Sequence, residues 1–391
     1  MQVKLSDHFH YRTLLKFVFP SVCMMVFTSI YGVVDGLFVS NFAGKTPFAA
    51  INLIMPFLMI MGAVGFMLGA GGSAIVSRTF GEGENEKACS YFSFLVAFTF
   101  CIGVVLALIG FAVLPSVARL LKAEGDLYAY GVQYARIILI GVPFWMLQTM
   151  FQTFFITAEK PHLGFVVTVI SGVCNMAGDA LLVGALGLGV KGAAWATVLS
   201  QACSCLFVLW FLFSDRVHVR ISFRGYSGKI MLRVLTFGFC PFIIIAGDSV
   251  LIIALNTVLQ NYGGAQGDML IACATIVQSY MQIVTLPLGG ITSGTQPILS
   301  FNYGAKNTDR IRKGEKEIAK MALLFCLVMF IISQTVSGVF VRLFTQNAEY
   351  IQLSVWAIKV FTFGIIPLAL QYSFVDGLTA LGIVKVSVSL S

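Results

Sequence analysis

Residues 48–77 read FAAINLIMPFLMIMGAVGFMLGAGGSAIVS, thirty consecutive residues without one charged side chain. A helix needs about 20 predominantly apolar residues to cross the hydrocarbon core of a bilayer. Only helices and closed barrels satisfy their backbone polar groups at that depth, and an apolar run of this length is typical of a helix. The segment therefore predicts a membrane-spanning helix.

Similar apolar runs continue along the chain. Its 391 residues are 58% hydrophobic and 11% charged, with a mean hydropathy of +0.91, whereas an ordinary soluble domain is about 25% charged. We predict an all-α polytopic membrane protein, which excludes soluble enzymes, nucleic-acid-binding proteins and secreted disulfide-rich domains. Ten full spans are predicted at 14–40, 48–77, 91–115, 127–157, 163–186, 192–213, 231–258, 269–299, 319–341 and 350–380.

The distribution of Lys and Arg predicts the orientation of the chain. If the N-terminus is cytoplasmic, most of the 25 basic residues fall on cytoplasmic segments, above all on 216–233 and 306–320. Cytoplasmic loops of membrane proteins carry this excess of positive charge. We expect a multi-pass protein of the cell membrane with its N-terminus inside. The charged stretch Lys306–Lys320 is expected to be a solvated loop.

The chain matches itself when it is shifted by about 223 residues. The matches include Arg119 with Arg342, Gly141 with Gly364, Gln148 with Gln371, and Ser77–Gly81 with Ser300–Gly304; a shift of 221 pairs Pro20 with Pro241 and Asp35 with Asn256. Chance matching of apolar sequence is the alternative explanation. We predict two parallel halves, residues 1–215 and 216–391, with the substrate path between them.

The same shift predicts an incomplete second half. It aligns Ser391 with Thr168, at the start of the predicted fifth span. Counterparts of spans 5 and 6 would therefore lie beyond the last residue, and the chain would stop a few residues into an eleventh span. We expect a C-terminally truncated second lobe.

Four acids lie inside predicted spans: Asp35, Asp179, Asp248 and Asp376. An Asp at the centre of a membrane helix costs roughly 2.5–3.5 kcal/mol on insertion scales, so each needs a partner or water.

Asp179 shares a helix face with Asn175, four residues earlier, and Thr197 lies on the next span. Carboxylate, amide and hydroxyl oxygens suit Na⁺, and two neighbouring carboxylates also suit a proton. We predict a cation or proton site of Asp35, Asn175, Asp179 and Thr197 and no other metal site. A polar cluster that only packs helices is the alternative.

Pro20, Asp35, Asn175, Asp179 and Thr197, placed on twofold six-span repeats, resemble the multidrug and toxic compound extrusion (MATE) family, in its DinF-like branch with the MepA-type pumps. The resemblance implies a V-shaped exporter of two six-helix lobes, monomeric, without a cofactor and not an enzyme. It would expel amphipathic, mostly cationic drugs by alternating access in exchange for H⁺ or Na⁺. In this family Pro20 would be a bend that couples ion binding to drug release.

The sequence departs from the family at the end of span 4. A basic residue often stands there, whereas this chain reads Thr157-Ala158-Glu159. Candidate substrate-binding or second-lobe residues are Gln148, Asp248, Asn256, Gln371 and Asp376. The alternative function is a flippase for lipid-linked oligosaccharides, which would need a basic cavity. Because the charges at membrane depth are mostly acidic, the sequence favours cationic cargo.

Overall fold

The computed structural model describes residues 5, 10–121, 123–212 and 228–391, and this part of the chain is helical without a strand. Ten helical segments within it are long and apolar enough to cross a membrane. The prediction of an all-α polytopic membrane protein is confirmed. The helices are α1 (Tyr11–Phe38), α2 (Lys45–Gly81), α3 (Asn85–Leu120), α4 (Gly125–Thr157), α5 (Pro161–Asp179), α6 (Gly189–Leu212), α7 (Gly228–Tyr262), α8 (Gly267–Gly304), α9 (Thr308–Arg342), α10 (Ala348–Phe361), α11 (Ile365–Leu381) and α12 (Val384–Leu390).

The prediction of a solvated loop at Lys306–Lys320 is wrong. Helix α9 already begins at Thr308, and the Asn307 side chain accepts a hydrogen bond from the Arg310 amide at 3.2 Å. This cap satisfies one of the free amides of the first turn. The charged residues therefore extend a membrane helix by three turns instead of interrupting it. The predicted boundary between residues 215 and 216 lies outside the described residues.

Helix ends support the internal repeat. After α4 the amide of Glu159 donates to the Ile156 carbonyl at 3.0 Å, and 223 positions later the amide of Gly382 donates to the Thr379 carbonyl at 3.0 Å. Each bond is accompanied by a second one from the following residue, the pattern of a Schellman motif. Helices α2 and α8 end with the same pair of bonds, also 223 positions apart. Corresponding positions thus have the same local geometry in the two halves.

The two halves touch where α2 and α8 end. A Cβ at Gly81 would overlap the Phe301 carbonyl, and a Cβ at Gly304 would overlap the Arg78 carbonyl. The Arg78 guanidinium also lies 4.7 Å from the centre of the Tyr303 ring. We call the contact between Arg78–Gly81 and Phe301–Gly304 the seam. Only glycine permits this reciprocal approach of the two backbones.

Other helices reinforce the contact between the halves. Gly71 on α2 lies against the Val234 carbonyl of α7, and its repeat partner Gly294 on α8 lies against Ser21 of α1. One apolar cluster also joins the halves. Its buried members are Leu5, Leu14, Phe17 and Val18, Ile156 of α4, Ile291, Ile298 and Leu299 of α8, Ile318 and Met321 of α9, and Ala380 of α11. The first turns of α1 therefore pack on the second half.

We expect the substitution Gly304→Ala to lower the thermal unfolding temperature of the detergent-solubilised protein. The added methyl group would overlap the Arg78 carbonyl, and overpacking an interior position costs about 1–3 kcal/mol. Gly247→Ala on α7 is the matched control, because a Cβ there meets nothing within 4 Å and alanine favours a helix over glycine. A fluorescence thermal-shift assay measures both. Equal unfolding temperatures for the two variants would contradict the close contact at the seam.

Candidate functional site

Asp35 and Asp179 both lie beside a π-helical turn. Asp35 is in the last turn of α1, which continues into the π-helical residues Val39–Ala43, and Asp179 ends α5 before the π-helical residues Ala180–Ala185. A π-helical turn shifts the register of the side chains that follow and occurs frequently at functional sites. The two acids thus stand where two neighbouring helices change their winding.

The carboxylates of Asp35 and Asp179 lie close enough to interact electrostatically. The Asp179 side chain is completely buried. Oδ1 of Asp35 and both carboxylate oxygens of Asp179 accept no hydrogen bond from any described residue. Two acceptors in contact repel each other unless a proton or a cation lies between them. The pair therefore lacks a positive partner from the described part of the chain.

Asn175 and Thr197 add further oxygen atoms beside this pair. The Asn175 Nδ2 donates to the Thr197 hydroxyl at 3.3 Å, which orients the amide and leaves its Oδ1 buried without a donor from the described residues. Asn175 precedes Asp179 by one helical turn, so both side chains lie on the same face of α5. The structure thus places the four residues of the predicted cation or proton site on the neighbouring helices α1, α5 and α6, with Asp179 facing Asp35 and Asn175 bonded to Thr197.

Tyr134 belongs to the same region and was missed in the sequence. Its side chain on α4 is 3% exposed, and its hydroxyl is within electrostatic reach of both Asp35 and Asp179. Tyr31, one turn before Asp35, also lies beside the Asp35 carboxylate. The sequence did contain a signal for it: Tyr134 and Gln148 are fourteen residues apart, about four helical turns, so both lie on one face of α4.

Pro20 and Gln148 lie away from the carboxylate pair. Pro20 is inside α1, which stays helical on both sides of it. The Gln148 Nε2 donates to the Ser171 hydroxyl at 3.1 Å, and Gln148 lines a small cleft between α4, α5 and α6. Its repeat partner Gln371 instead donates to the Leu390 carbonyl of α12 at 2.8 Å. The two glutamines therefore have different surroundings despite their matched positions.

A second polar cluster lies in the second half. Asp376 on α11 accepts a hydrogen bond from the Gln296 Nε2 of α8 at 2.8 Å. The Tyr372 hydroxyl is within electrostatic reach of both Asp376 and Asp248 of α7. Asn256 lies two turns after Asp248, and its buried Oδ1 accepts no hydrogen bond from the described residues. Asp376 thus lies one turn from this tyrosine on α11, and Asp248 approaches the same tyrosine from α7.

Glu315 of α9 joins this second cluster and was also missed, because its sequence neighbours are charged. Its carboxylate lies beside Asp376, and its buried Oε1 accepts no hydrogen bond from the described residues. A Cβ at Gly377 would come within 2.6 Å of the Glu315 Oε2. The repeat partners of Glu315 and Gly377 are Phe92 and Phe154, whose ring centres are 4.7 Å apart. The second half therefore holds a carboxylate where the first half packs two aromatic rings.

The comparison with protein families identifies the fold family. The family model described as MatE matches residues 20–181 and 244–391, one segment in each half. The chain belongs to this family. The resemblance of the sequence to the MATE family is thereby confirmed. The matched segments contain Asp35, Asn175 and Asp179 together with Asp248 and Asp376.

Individual MATE relatives agree with this assignment. The multidrug export protein MepA of Staphylococcus saprophyticus is 24% identical over 378 residues, which cover 95% of this chain and 82% of the relative. A crystal structure of MATE in complex with MaL6 has a TM-score of 0.91 at 22% identity and covers 99% of this chain and 87% of that chain. A multidrug resistance MATE transporter of the MOP superfamily in an outward-facing conformation has a TM-score of 0.91 at 22% identity, with 99% and 86% covered. These likenesses show that the chain has the MATE fold.

In this MATE-family chain we expect Asp179→Asn to raise the thermal unfolding temperature in Na⁺-free buffer at neutral pH. The new amide can donate to the Asp35 carboxylate, and an unsatisfied buried polar group costs about 1–3 kcal/mol. Glu124→Gln is the control, because Glu124 is an exposed acid before α4. Added Na⁺ or acid should stabilise the wild type and the control but not the variant. A lower unfolding temperature for Asp179→Asn would contradict the unsatisfied carboxylate pair.

Proposed function

We propose that this chain is a multidrug exporter, a transporter rather than an enzyme, which expels amphipathic, mostly cationic molecules in exchange for H⁺ or Na⁺. Membership of the MATE family and the similarity to multidrug export proteins support the export of drugs. The observation that carries the exchange is the proximity of the Asp35 and Asp179 carboxylates, in which Oδ1 of Asp35 and both oxygens of Asp179 are buried without a donor from the described residues. A buried acidic pair in a membrane helix bundle calls for a positive ion.

The ion would be held by carboxylate oxygens together with the Asn175 and Thr197 oxygens. Hard oxygen ligands of this kind suit Na⁺, and the carboxylate pair also suits a single shared proton. When the ion binds, it would remove the repulsion between α1 and α5. When it leaves, the repulsion would return. The two conformations of the site would therefore differ in their affinity for the ion, which is the condition for coupling it to a conformational change.

Helix α1 would carry this change to the second half. Asp35 lies in its last turn, whereas Ser21 and Val22, nearer its middle, pack against Gly290 and Gly294 of α8. Pro20 removes one backbone hydrogen bond in this part of α1, so it would ease bending there. Movement of α1 relative to α8 would thus link ion binding to alternating access between the two halves.

The orientation that we propose places the N-terminus and the seam on the cytoplasmic side. Arg78 near the end of α2, Lys87 at the start of α3, and the basic residues from Lys306 through the first turns of α9 support it, because positive charge favours that side. With the seam closed, the path between the halves would be shut toward the cytoplasm. Substrate would then leave toward the outside from this conformation.

We expect Asp35→Asn and Asp179→Asn each to reduce ethidium efflux to the level of vesicles without the protein. Neither variant can hold the ion between two carboxylates, so the gradient would no longer drive transport. Asp126→Asn, an exposed acid at the start of α4, is the control with normal efflux. The assay imposes the pH and Na⁺ gradients separately at matched protein levels. Full efflux by both variants would overturn the proposed exchange site.

We further propose that the second cluster, around Asp376, contacts the cationic part of the substrate. The pairing of Asp376 with Gln296, and the replacement of the packed rings Phe92 and Phe154 by Glu315 and Gly377, support a functional charge there. Buried acids are retained at a cost in stability relative to well-packed apolar side chains. A role in binding would explain why the two halves differ at these positions.

We expect Asp376→Asn to weaken the transport of a dicationic drug more than that of a neutral drug of similar size. The loss of one carboxylate removes attraction only for the charged substrate. The measurement is the drug concentration that gives half-maximal transport in vesicles. The control is Ser279→Ala on α8, a half-buried polar position whose hydroxyl donates to the Thr275 carbonyl of the same helix. An unchanged preference between the two drugs, combined with an altered response to H⁺ or Na⁺, would assign Asp376 to the coupling ion instead.

A further inference from the structure

Glu159 has a backbone conformation that favours glycine. It follows the end of α4 with φ at 60°, and its repeat partner after α11 is Gly382 with φ at 78°. Left-handed backbone angles are strained for a residue with a Cβ, and glycine is the usual residue at this position of a Schellman motif. The first half thus keeps a glutamate where the second half has the unstrained residue.

The Glu159 carboxylate binds the backbone of Leu5. Its Oε1 accepts a hydrogen bond from the Leu5 amide at 2.7 Å. On the other side, the Asn302 Nδ2 donates to the Leu5 carbonyl at 3.3 Å. Glu159 belongs to the first half, and Asn302 lies within the seam on α8 of the second half. Leu5, which precedes α1, is therefore hydrogen-bonded to the first half through its amide and to the second half through its carbonyl.

The Leu5 side chain adds an apolar contact to these two hydrogen bonds. It is 2% exposed and packs in the cluster that joins Ile156 of α4 to residues of α8 and α9. If the halves separated at the seam, Leu5 could not remain bonded to both Glu159 and Asn302. At least one buried backbone group would lose its partner, which is costly. The Leu5 contacts consequently stabilise only the conformation in which the seam is closed.

We propose that Leu5 is a strap that holds the seam closed, with Glu159 as its attachment on the first half and Asn302 on the second. Release of the strap from one half is then a step in opening the seam. The strap sets the balance between the closed and open seam, since a contact made in one conformation alone shifts the equilibrium toward it. Its consequence for transport rests on the proposed function, but its effect on the seam is measurable without transport.

The variant Glu159→Gly distinguishes loss of the strap from loss of folding stability. Glycine adopts the left-handed conformation without strain, so the unfolding temperature should stay the same or rise while the bond to Leu5 is lost. Glu159→Gln keeps a side-chain oxygen that can accept the Leu5 amide. Lys306→Gly is the matched control, because Lys306 is exposed, has φ at 57° and ends α8 in the same motif.

Hydrogen–deuterium exchange of the full chain in lipid nanodiscs measures opening of the seam. We expect Glu159→Gly to speed exchange at the seam residues of α2 by about tenfold, the effect of losing one charge-assisted hydrogen bond. Glu159→Gln keeps an acceptor oxygen without the charge, so it should speed exchange there less than Glu159→Gly. Lys306→Gly should exchange there like the wild type. Adding Asn302→Ala to Glu159→Gly should change exchange little, because the bridge between the halves is already broken.

Two results would overturn the proposal that Leu5 is a strap. One is unchanged exchange at the seam in Glu159→Gly together with a raised unfolding temperature, since Glu159 would then be only a strained helix end. The other is equally fast exchange in Glu159→Gln and Glu159→Gly, since the hydrogen bond to Leu5 would then not hold the seam. Ethidium efflux by Asp35→Asn is measured in parallel. Its outcome tests the proposed exchange site without bearing on the strap.

Discussion

The close backbone contact of α2 with α8 at Gly81 and Gly304 is the constraint on which the arrangement of the two halves depends. Each glycine admits the carbonyl of the opposite helix, so the two helices approach symmetrically at this end. With α2 and α8 held there, α7 packs on α2 and α1 packs on α8. The latter contact also brings the first turns of α1 into the apolar cluster shared by both halves. The candidate ion site, at the far end of α1, is therefore mechanically connected to the second half.

Charge distinguishes the two halves within this nearly symmetric frame. The first half concentrates its buried acids at the π-helical turns after α1 and α5, where Asp35 and Asp179 meet. The second half instead has Asp376 and Glu315 among α8, α9 and α11, in a region that the first half fills with Phe92 and Phe154. A buried acid costs more than a packed ring unless it binds something. The halves thus share helix geometry but differ in the chemistry of their interiors.

Several residues show how far the sequence could be interpreted. Asp35 and Asp179 were recognisable because a charge in an apolar helix is expensive and each shares a helix face with other polar residues. Tyr134 was not, since a tyrosine in an apolar helix looks like ordinary core. Glu315 was hidden in a charged stretch, and only its packing against Gly377 shows that it is buried. Positions matched by the repeat do not always make matching contacts. Gln371 donates a hydrogen bond to α12, whereas Gln148 donates to Ser171.

The sequence by itself determined the helical class, the ten spans, the repeat and the polar faces of single helices. These properties depend on hydrophobicity and on spacing within one segment, which a bilayer and the helical period translate directly into structure. Only the tertiary structure decided which faces meet: Asp35 with Asp179, Glu315 with Asp376, and Leu5 with both Glu159 and Asn302. Such pairings depend on the fit of side chains far apart along the chain, and no local pattern encodes that fit.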